Sequence, residues 1–546
     1  MIENNNQSSD SKTKETDAVD SSAPVDFERA IEAAGFGLFN VILLLVSIPA
    51  AFASTFESST MSFILPVAEC DLHLTLTDKG VLNAVAYGGM TVSAIAWGYL
   101  ADTKGRRKVL MYGFLVDAFC VFGSAISQNF AMLVIFKFLG GLVINGPAAV
   151  LYTYLTELHG AKHRSQVLLV LGMVMSAAQL ALPLLAWGIF PREWDFEIFG
   201  FLNIHSWHVF LFVCGVPSLI SGLILSILPE SPRFLMSQGR NAEALQALQK
   251  IYVYNTRLPK ETYPVKELVE EVPSRDANKD EVIYTIEAKA GHKKPHSRTF
   301  TESLRSGMKQ VKPMFQKPLL GLSLHCYTMQ FCILLSMNTI RLWLPQLFAS
   351  MAEYEAFHAN DGEKVSADIC TILEYSINRT AETATDYESV CLEPKPISMD
   401  MYTNNIIISA VGFVSYFFAG GLMRALGGKR LLVYGLFISG ILGMILYWSV
   451  NSLMTLIVSA AFITVSGIAT VSLLGAVVAL FPTSLRSLVV AIAMMCGRFG
   501  ALSGNLLFPI FIQIGCIPPF LMVALVMLFA AMLAIFVPNP NKTEFS

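Results

Sequence analysis

The feature that most restricts this chain is a series of twelve predominantly apolar runs, each of roughly twenty residues. That is the length an α-helix needs to cross ~30 Å of hydrocarbon at about 1.5 Å per residue. One buried helix of a soluble protein can look like this; a dozen in succession cannot. Composition agrees: of 546 residues, 54% are hydrophobic and only 14% charged, with a mean hydropathy of +0.55, where a soluble chain of this length carries far more charge. Spans are expected near 39–61, 80–100, 109–127, 131–155, 166–189, 207–228, 319–346, 402–423, 431–450, 453–479, 488–512 and 516–537. The fold class is an all-α membrane protein, twelve helices in two six-helix bundles. No basic segment with a cleavage site opens the sequence, so the first run is read as a retained span.

Lysine and arginine placement orients the spans. Lys104, Arg106, Arg107 and Lys108, then Lys162 and Arg164, then Arg424, Lys429 and Arg430, then Arg486 fall in loops on one side, together with the polar stretch 229–317. Glu69, Asp71, Asp78, Asp195 and Glu197 fall on the other, as does a strongly acidic loop, 347–400. Both termini are therefore expected in the cytoplasm and the acidic loop in the lumen or outside the cell. The division that follows is a tail (1–36, its first 24 residues polar and expected to be disordered), a first bundle (37–228), a central cytoplasmic segment with helices (229–317), a second bundle (318–537) and a short tail (538–546).

Asn378-Arg379-Thr380 is a glycosylation sequon in the acidic loop; the sequons at Asn6 and Asn541 lie on the cytoplasmic side and are expected to stay bare. Cys370 and Cys391 flank Asn378 in an oxidising compartment and are expected to form a disulfide; two free thiols, or one pairing with Cys70, are the alternatives. The other cysteines show no metal-ligand spacing, and most sit in apolar runs as packing residues. Neither a metal nor a cofactor is expected, nothing resembles a nucleic-acid surface, and no nucleophile–base constellation points to an enzyme.

The chain repeats itself. Gly98-Tyr-Leu-Ala-Asp102-Thr-Lys-Gly105-Arg106-Arg107-Lys108 follows the second span, and Gly420-Gly-Leu-Met-Arg424-Ala-Leu-Gly427-Gly428-Lys429-Arg430 follows the eighth, displaced by 420 − 98 = 322 residues. Arg164 and Arg486 are separated by the same interval (486 − 164 = 322). Two parallel repeats of six spans place a substrate site near the midplane between bundles.

Gly98-x-Leu100-x-Asp102-x-x-Gly105-Arg106-Arg107 resembles the signature loop of the major facilitator superfamily. The resemblance implies a gate latch holding the cytoplasmic ends together, with Gly98 allowing close helix approach and Gly105 a tight turn. Pro229-Glu230-Ser231-Pro232-Arg233 and Phe481-Pro482-Thr483-Ser484-Leu485-Arg486 are similar to loops of the sugar-porter and organic-ion branch. Phe63-Ile64-Leu65-Pro66, Met494-Met495-Cys496-Gly497-Arg498-Phe499-Gly500 and the long loop after the seventh span resemble the synaptic vesicle glycoprotein 2 group and its relatives. Gly98, Asp102, Gly105, Arg106, Arg107, Glu157, Arg164, Glu230, Arg233 and Arg486 are thus the candidate gate residues. The sequence departs from the pattern at Ser54 (an acid in the group), Lys137 (usually arginine), Asn145 (usually glycine), Arg424 and Ala479, which puts a second-half gate network in doubt.

Ionisable groups inside a span cost several kcal/mol and so mark function by default. Arg498, about ten residues into the eleventh span, is expected to face a cavity and attract an anionic group or pair with a carboxylate, although an ion pair that only sets bundle geometry would also account for it. Glu57 is either a cavity carboxylate or a solvated one at the lumenal end. Tyr327, Gln330, Asn338 and Arg341 form a polar stripe on the seventh span, with a weaker one of Asn83, Tyr87 and Thr91 on the second and Gln179 on the fifth; these are expected to line the cavity, although interhelical bonding could explain any single one. Asp117 is expected to be structural. The expected function is secondary transport of a small polar or charged organic solute, with or without a coupling ion. The alternative is a transporter-shaped vesicle or surface receptor that engages a protein partner through its lumenal loop. A plasma-membrane or a vesicle location fits either reading.

Overall fold

A computed structural model describes residues 24–192, 194–198, 200, 202–269, 312–317, 319–358, 367–385, 399–482 and 485–538. Asn6, Asn541, Cys391, Thr483 and Ser484 lie outside the described residues. Among the described residues, twelve helices are long and apolar enough to span a bilayer: α1 (Leu38–Ser59), α2 (Leu76–Lys104), α3 (Arg106–Ala125), α4 (Phe130–Glu157), α5 (Ala161–Ile189), α6 (Ser206–Leu225), α7 (Leu319–His358), α8 (Met399–Leu426), α9 (Gly428–Ile445), α10 (Ser452–Leu480), α11 (Arg486–Ile514) and α12 (Ile517–Ile535).

Packing repeats with the sequence. In the first half α1 packs on α5 and α6, α2 on α4, and α3 on α4 and α6; in the second, α7 packs on α11 and α12, α8 on α10, and α9 on α10 and α12. Local chemistry repeats too. Asn129 and Asn451 (451 − 129 = 322) each cap their helix by accepting from the backbone N–H three residues on, at 2.9 and 2.8 Å. Gly105 and Gly427 (427 − 105 = 322) each turn the chain with positive φ, 96° and 80°, a conformation a side chain resists. Arg164 Nε donates to the His159 carbonyl (3.2 Å) and Arg486 Nε to the Phe481 carbonyl (2.9 Å), the same bond in both copies.

Three features depart from expectation. First, α7 does not end near residue 346 but runs on to His358, because Met351 and Tyr354 are buried, Tyr354 stacks on His358, and the rings of Tyr354, Phe357 and His358 pack edge-on or tilted against Tyr375 of a separate helix, Ile369–Thr385. Asn378 lies within that helix. Second, the expected Cys370–Cys391 bond is replaced: Cys370 is bonded to Cys516, with Cα atoms 5.4 Å apart, which ties the helix to the α11–α12 turn. The Ile369 amide also donates to the Ser449 carbonyl at 3.0 Å, and Cys70 is itself disulfide-bonded. Sequence spacing could not show this, because the partner of Cys370 is brought to it across 146 residues. Third, a two-stranded antiparallel hairpin, β1 (Asp195–Ile198) and β2 (Leu202–His205), precedes α6. It is pinned where Asp71 Oδ2 accepts from Trp207 Nε1 (2.7 Å) and contacts His205 Nδ1 (2.5 Å).

At the end carrying the basic loops, a short helix (Phe27–Ala33) and two more after α6 (Pro232–Ser237 and Asn241–Thr256) cap the first half. Asn255 joins them, accepting from the Phe39 amide (3.0 Å) and donating to the Gly35 carbonyl (2.8 Å) and to Asn40 Oδ1 (3.0 Å).

Candidate functional site: the cavity between the two halves

The two halves meet along α2–α11 and α5–α8. Towards the acidic end the seam is tight. A Cβ added at Gly80 would lie 2.5 Å from the Pro509 ring, Asn83 Nδ2 donates to the Leu342 carbonyl at 3.4 Å, and Gln513 Nε2 reaches Thr77 Oγ1 at 3.4 Å. Towards the basic end it loosens: Cβ atoms added at Gly98, Gly420, Gly421, Gly427 and Gly428 would meet nothing within 4 Å. In this state neither Gly98 nor its counterpart Gly420 makes a close approach to another helix.

A cavity of about 380 Å³ lies between the halves. Its polar wall includes Ser59 of α1, Gln179 of α5, Arg341 of α7, Asn405 and Tyr416 of α8, and Thr464 of α10. Gln179 and Arg341 are thus at the wall, as expected. Ser59, Asn405, Tyr416 and Thr464 were not anticipated, because isolated hydroxyl and amide groups in apolar runs give no signal until their helices are placed around a common space. Arg341 Nη2 donates to Ser59 Oγ at 3.0 Å, bridging the two halves.

Other members of the expected stripes lie beside the cavity. Tyr87 OH and Asn338 Oδ1 are 3.4 Å apart across the α2–α7 crossing. Tyr327 and Gln330 are buried, Gln330 next to Met494 of α11 with Nε2 3.7 Å from its sulfur. They share a helical period with Asn338, but α11 covers that part of α7. Arg498 sits at the same seam and donates to Asn145 Oδ1 of the opposite half. Asn145 in turn donates to the Met90 carbonyl (2.9 Å) and to Ser93 Oγ (3.3 Å). Asparagine at a position usually held by glycine thus supplies the acceptor that the arginine needs.

Glu57 is placed at neither of its expected locations. It is buried inside the first half, where Lys137 Nζ lies 2.8 Å from Oε2 and both side chains are 1% exposed. Gly140 makes room for this carboxylate: a Cβ there would lie 2.5 Å from Oε1. Glu57 lies one turn beyond Ser54 on the same face of α1, where it meets the Lys137 ammonium. Asp117 is fully buried and accepts from Ser218 Oγ at 2.5 Å, within the first half.

The candidate gate residues cluster at the basic end. Arg106 Nε lies 3.4 Å from Glu157 Oε2, Nη2 lies 3.5 Å from Asp102 Oδ1, and the guanidinium covers the Phe234 ring at 5.2 Å. The Arg107 amide donates to Glu230 Oε1 at 2.9 Å, and Glu230 crowds Gly105, where a Cβ would lie 2.5 Å from Oε2. Arg233 covers the Phe27 ring at 5.8 Å. Arg164 makes a bidentate pair with Glu28, at 3.0 and 2.9 Å. His159 beside it is buried, and burial pushes its imidazole below the ordinary range. Each of these contacts stays within the first half and its cap. In the second copy, Arg424 donates to the Gly420 carbonyl of its own helix (3.3 Å). Among the described residues, no group of three or more His, Cys, Asp or Glu could hold a metal ion.

The sequence profile of the Major Facilitator Superfamily matches residues 48–360. Synaptic vesicle glycoprotein 2B of Rattus norvegicus is 32% identical over 232 residues, which is 42% of this chain and 34% of that protein. Synaptic vesicle glycoprotein 2C of Mus musculus is 33% identical over 232 residues, 42% of this chain and 32% of that protein. The matched region therefore spans about a third of the length of these curated relatives. Among solved structures, the partially occluded inward open conformation of the xylose transporter XylE from E. coli superposes with a TM-score of 0.61 at 15% identity, covering 92% of this chain and 100% of that one.

Proposed function

Since this chain belongs to the major facilitator superfamily, we propose that it is a multi-pass secondary transporter that carries a small polar or charged organic solute by alternating access. The observation that carries this reading is the cavity, enclosed between two repeats whose seam is tight at the acidic end and loose at the basic end. Such an arrangement corresponds to a state open towards the basic loops. Rocking the halves about the cavity would exchange the tight and loose ends. The Asp102–Arg106–Glu157 network and the Glu230 carboxylate hold the basic end of the first half, with its cap, as one rigid body. XylE, whose fold it shares, is a proton:xylose symporter; a coupling ion here is part of the proposal.

The test is uptake by the purified full chain in proteoliposomes, screened over a solute panel. Saturable, counterflow-competent uptake is expected, reduced about tenfold or more by Arg498→Ala, which removes a buried charge-assisted contact worth about 1.5–3 kcal/mol, and less by Asp102→Ala, whose exposed pair with Arg106 is worth at most about 1 kcal/mol. Unchanged flux in both variants would remove these residues from the mechanism. No saturable uptake of any solute would instead favour the receptor reading. That reading draws on the helix Ile369–Thr385, fixed onto the acidic end of the second half through buried Ile369, Ile372 and Leu373 and the Cys370–Cys516 bond, and on the relatives' description as vesicle glycoproteins.

The orientation proposed is both termini and the basic loops in the cytoplasm, with residues 347–400 opposite. Asn378 is then the glycan acceptor. Expressed in secretory-pathway membranes, the chain should lose mass on glycosidase treatment and Asn378→Gln should not; a full chain unaffected by glycosidase would count against this orientation.

A further inference from the structure

We propose that the solute is an organic anion, whose carboxylate or similar group docks on Arg341 while an apolar portion lies against the opposite wall. This deepens the transport reading above and rests on it. Among the described residues lining the cavity, Arg341 is the one that carries a full charge, and none is an aspartate or glutamate. Its described partner is the neutral Ser59 hydroxyl, 3.0 Å from Nη2, which leaves further guanidinium donors for a ligand.

A guanidinium does not discharge by losing its proton, and a buried charge without a counter-charge is costly. The buried carboxylates Glu57 and Glu157 are engaged elsewhere, with Lys137 and Arg106. Arg498, the second guanidinium at the seam, is answered by the amide oxygen of Asn145, again neutral. The space between the halves therefore carries a positive potential that an entering anion would neutralise, and the fork geometry of arginine suits a planar carboxylate. Met175, Met337, Ile408 and Ile468 supply an apolar wall, and 380 Å³ is ample for a group the size of a fused aromatic ring. A bare inorganic anion would leave that wall unused.

The test measures thermal stabilisation of the purified full chain by naphthoate, naphthamide and naphthylmethylamine, which share a shape and differ in charge, with inorganic phosphate as a fourth arm. Naphthoate is expected to bind about tenfold or more tightly than the amide and the amine. Arg341→Gln should abolish that preference. Ser59→Asp keeps the arginine and neutralises it in place, so the carboxylate preference should be lost. Equal binding of carboxylate and amide would overturn the proposal. So would carboxylate binding unchanged by Ser59→Asp, stabilisation by phosphate equal to that by naphthoate, or no stabilisation by naphthoate, benzoate and phenylbutyrate alike. The two readings separate in proteoliposomes: anion-selective binding without uptake would sink transport and leave this site, whereas saturable uptake confined to amides or amines would sink the anion site and leave transport.

Discussion

Replacing Lys137 with methionine is expected to destabilise the protein by about 3–5 kcal/mol, because it leaves the Glu57 carboxylate buried without its partner. The two side chains are 1% exposed, and Nζ sits 2.8 Å from Oε2. Methionine matches lysine in length and fills the site, so the loss comes from charge rather than from a cavity. Glu57 has no other cation in reach among its described contacts, and its second oxygen, Oε1, is buried against Gly140 with no hydrogen-bond partner. The double variant Glu57→Gln with Lys137→Met removes both charges and should recover most of the loss, since apolar or neutral replacement of a whole buried pair is often neutral. Melting temperature and monodispersity in detergent read both outcomes. A single variant that melts with the parent would mean that the pair is not a buried ion pair.

The second large effect concerns helix packing. Gly497, Gly500 and Gly504 lie at i, i+3 and i+7 on one face of α11, pressed against α7. A Cβ at Gly500 would land on the Phe331 carbonyl oxygen, and one at Gly504 on Thr339 Oγ1 and within 2.9 Å of the Leu335 carbonyl oxygen. A side-chain neighbour can rotate aside, but a backbone oxygen moves only if the helix moves. Gly500→Ala is therefore expected to cost about 1–3 kcal/mol by overpacking, and Gly500→Val more. Because Arg498 is two residues away, separating α11 from α7 should also weaken its bond to Asn145 and reduce uptake. Gly98→Ala is the control: the space there is open, so its stability should hold. Equal melting of Gly500→Ala and Gly98→Ala would refute close packing at the α7–α11 seam.

That contrast shows where motif reading stops. Gly98 belongs to the most recognisable motif in the chain and touches nothing through its missing Cβ, whereas Gly500 and Gly504 carry the close contact. Gly105 is the opposite case: a tight turn was expected from its motif, and its φ of 96° confirms it. Turn chemistry is local, set by one residue's own dihedrals, and so it can be read along the chain. A helix crossing depends on a second helix, and at the α7–α11 crossing Gly497 meets Leu334 across 497 − 334 = 163 residues of chain. The polar stripes behaved likewise. Periodicity placed Tyr327, Gln330, Asn338 and Arg341 on related faces of α7, but α11 covers one part of that face and the cavity meets another, so only Arg341 reaches the wall. Glu57 and Lys137 were both visible as intramembrane charges; nothing in their spacing of 80 residues joins them.

By itself the sequence determined what depends on the solvent and on local geometry: twelve spans, from the length of apolar segment a bilayer demands; two equivalent halves, from the 322-residue displacement; and the tight turn at Gly105. Only the tertiary structure decided which buried charge meets which, that Cys370 bonds Cys516, and that an unanswered arginine faces the space between the halves. The physical reason is range. Hydrophobic burial and backbone dihedrals act within a segment, whereas ion pairs, disulfides and cavity walls form between atoms that come within a few ångströms of each other only once every helix has been placed.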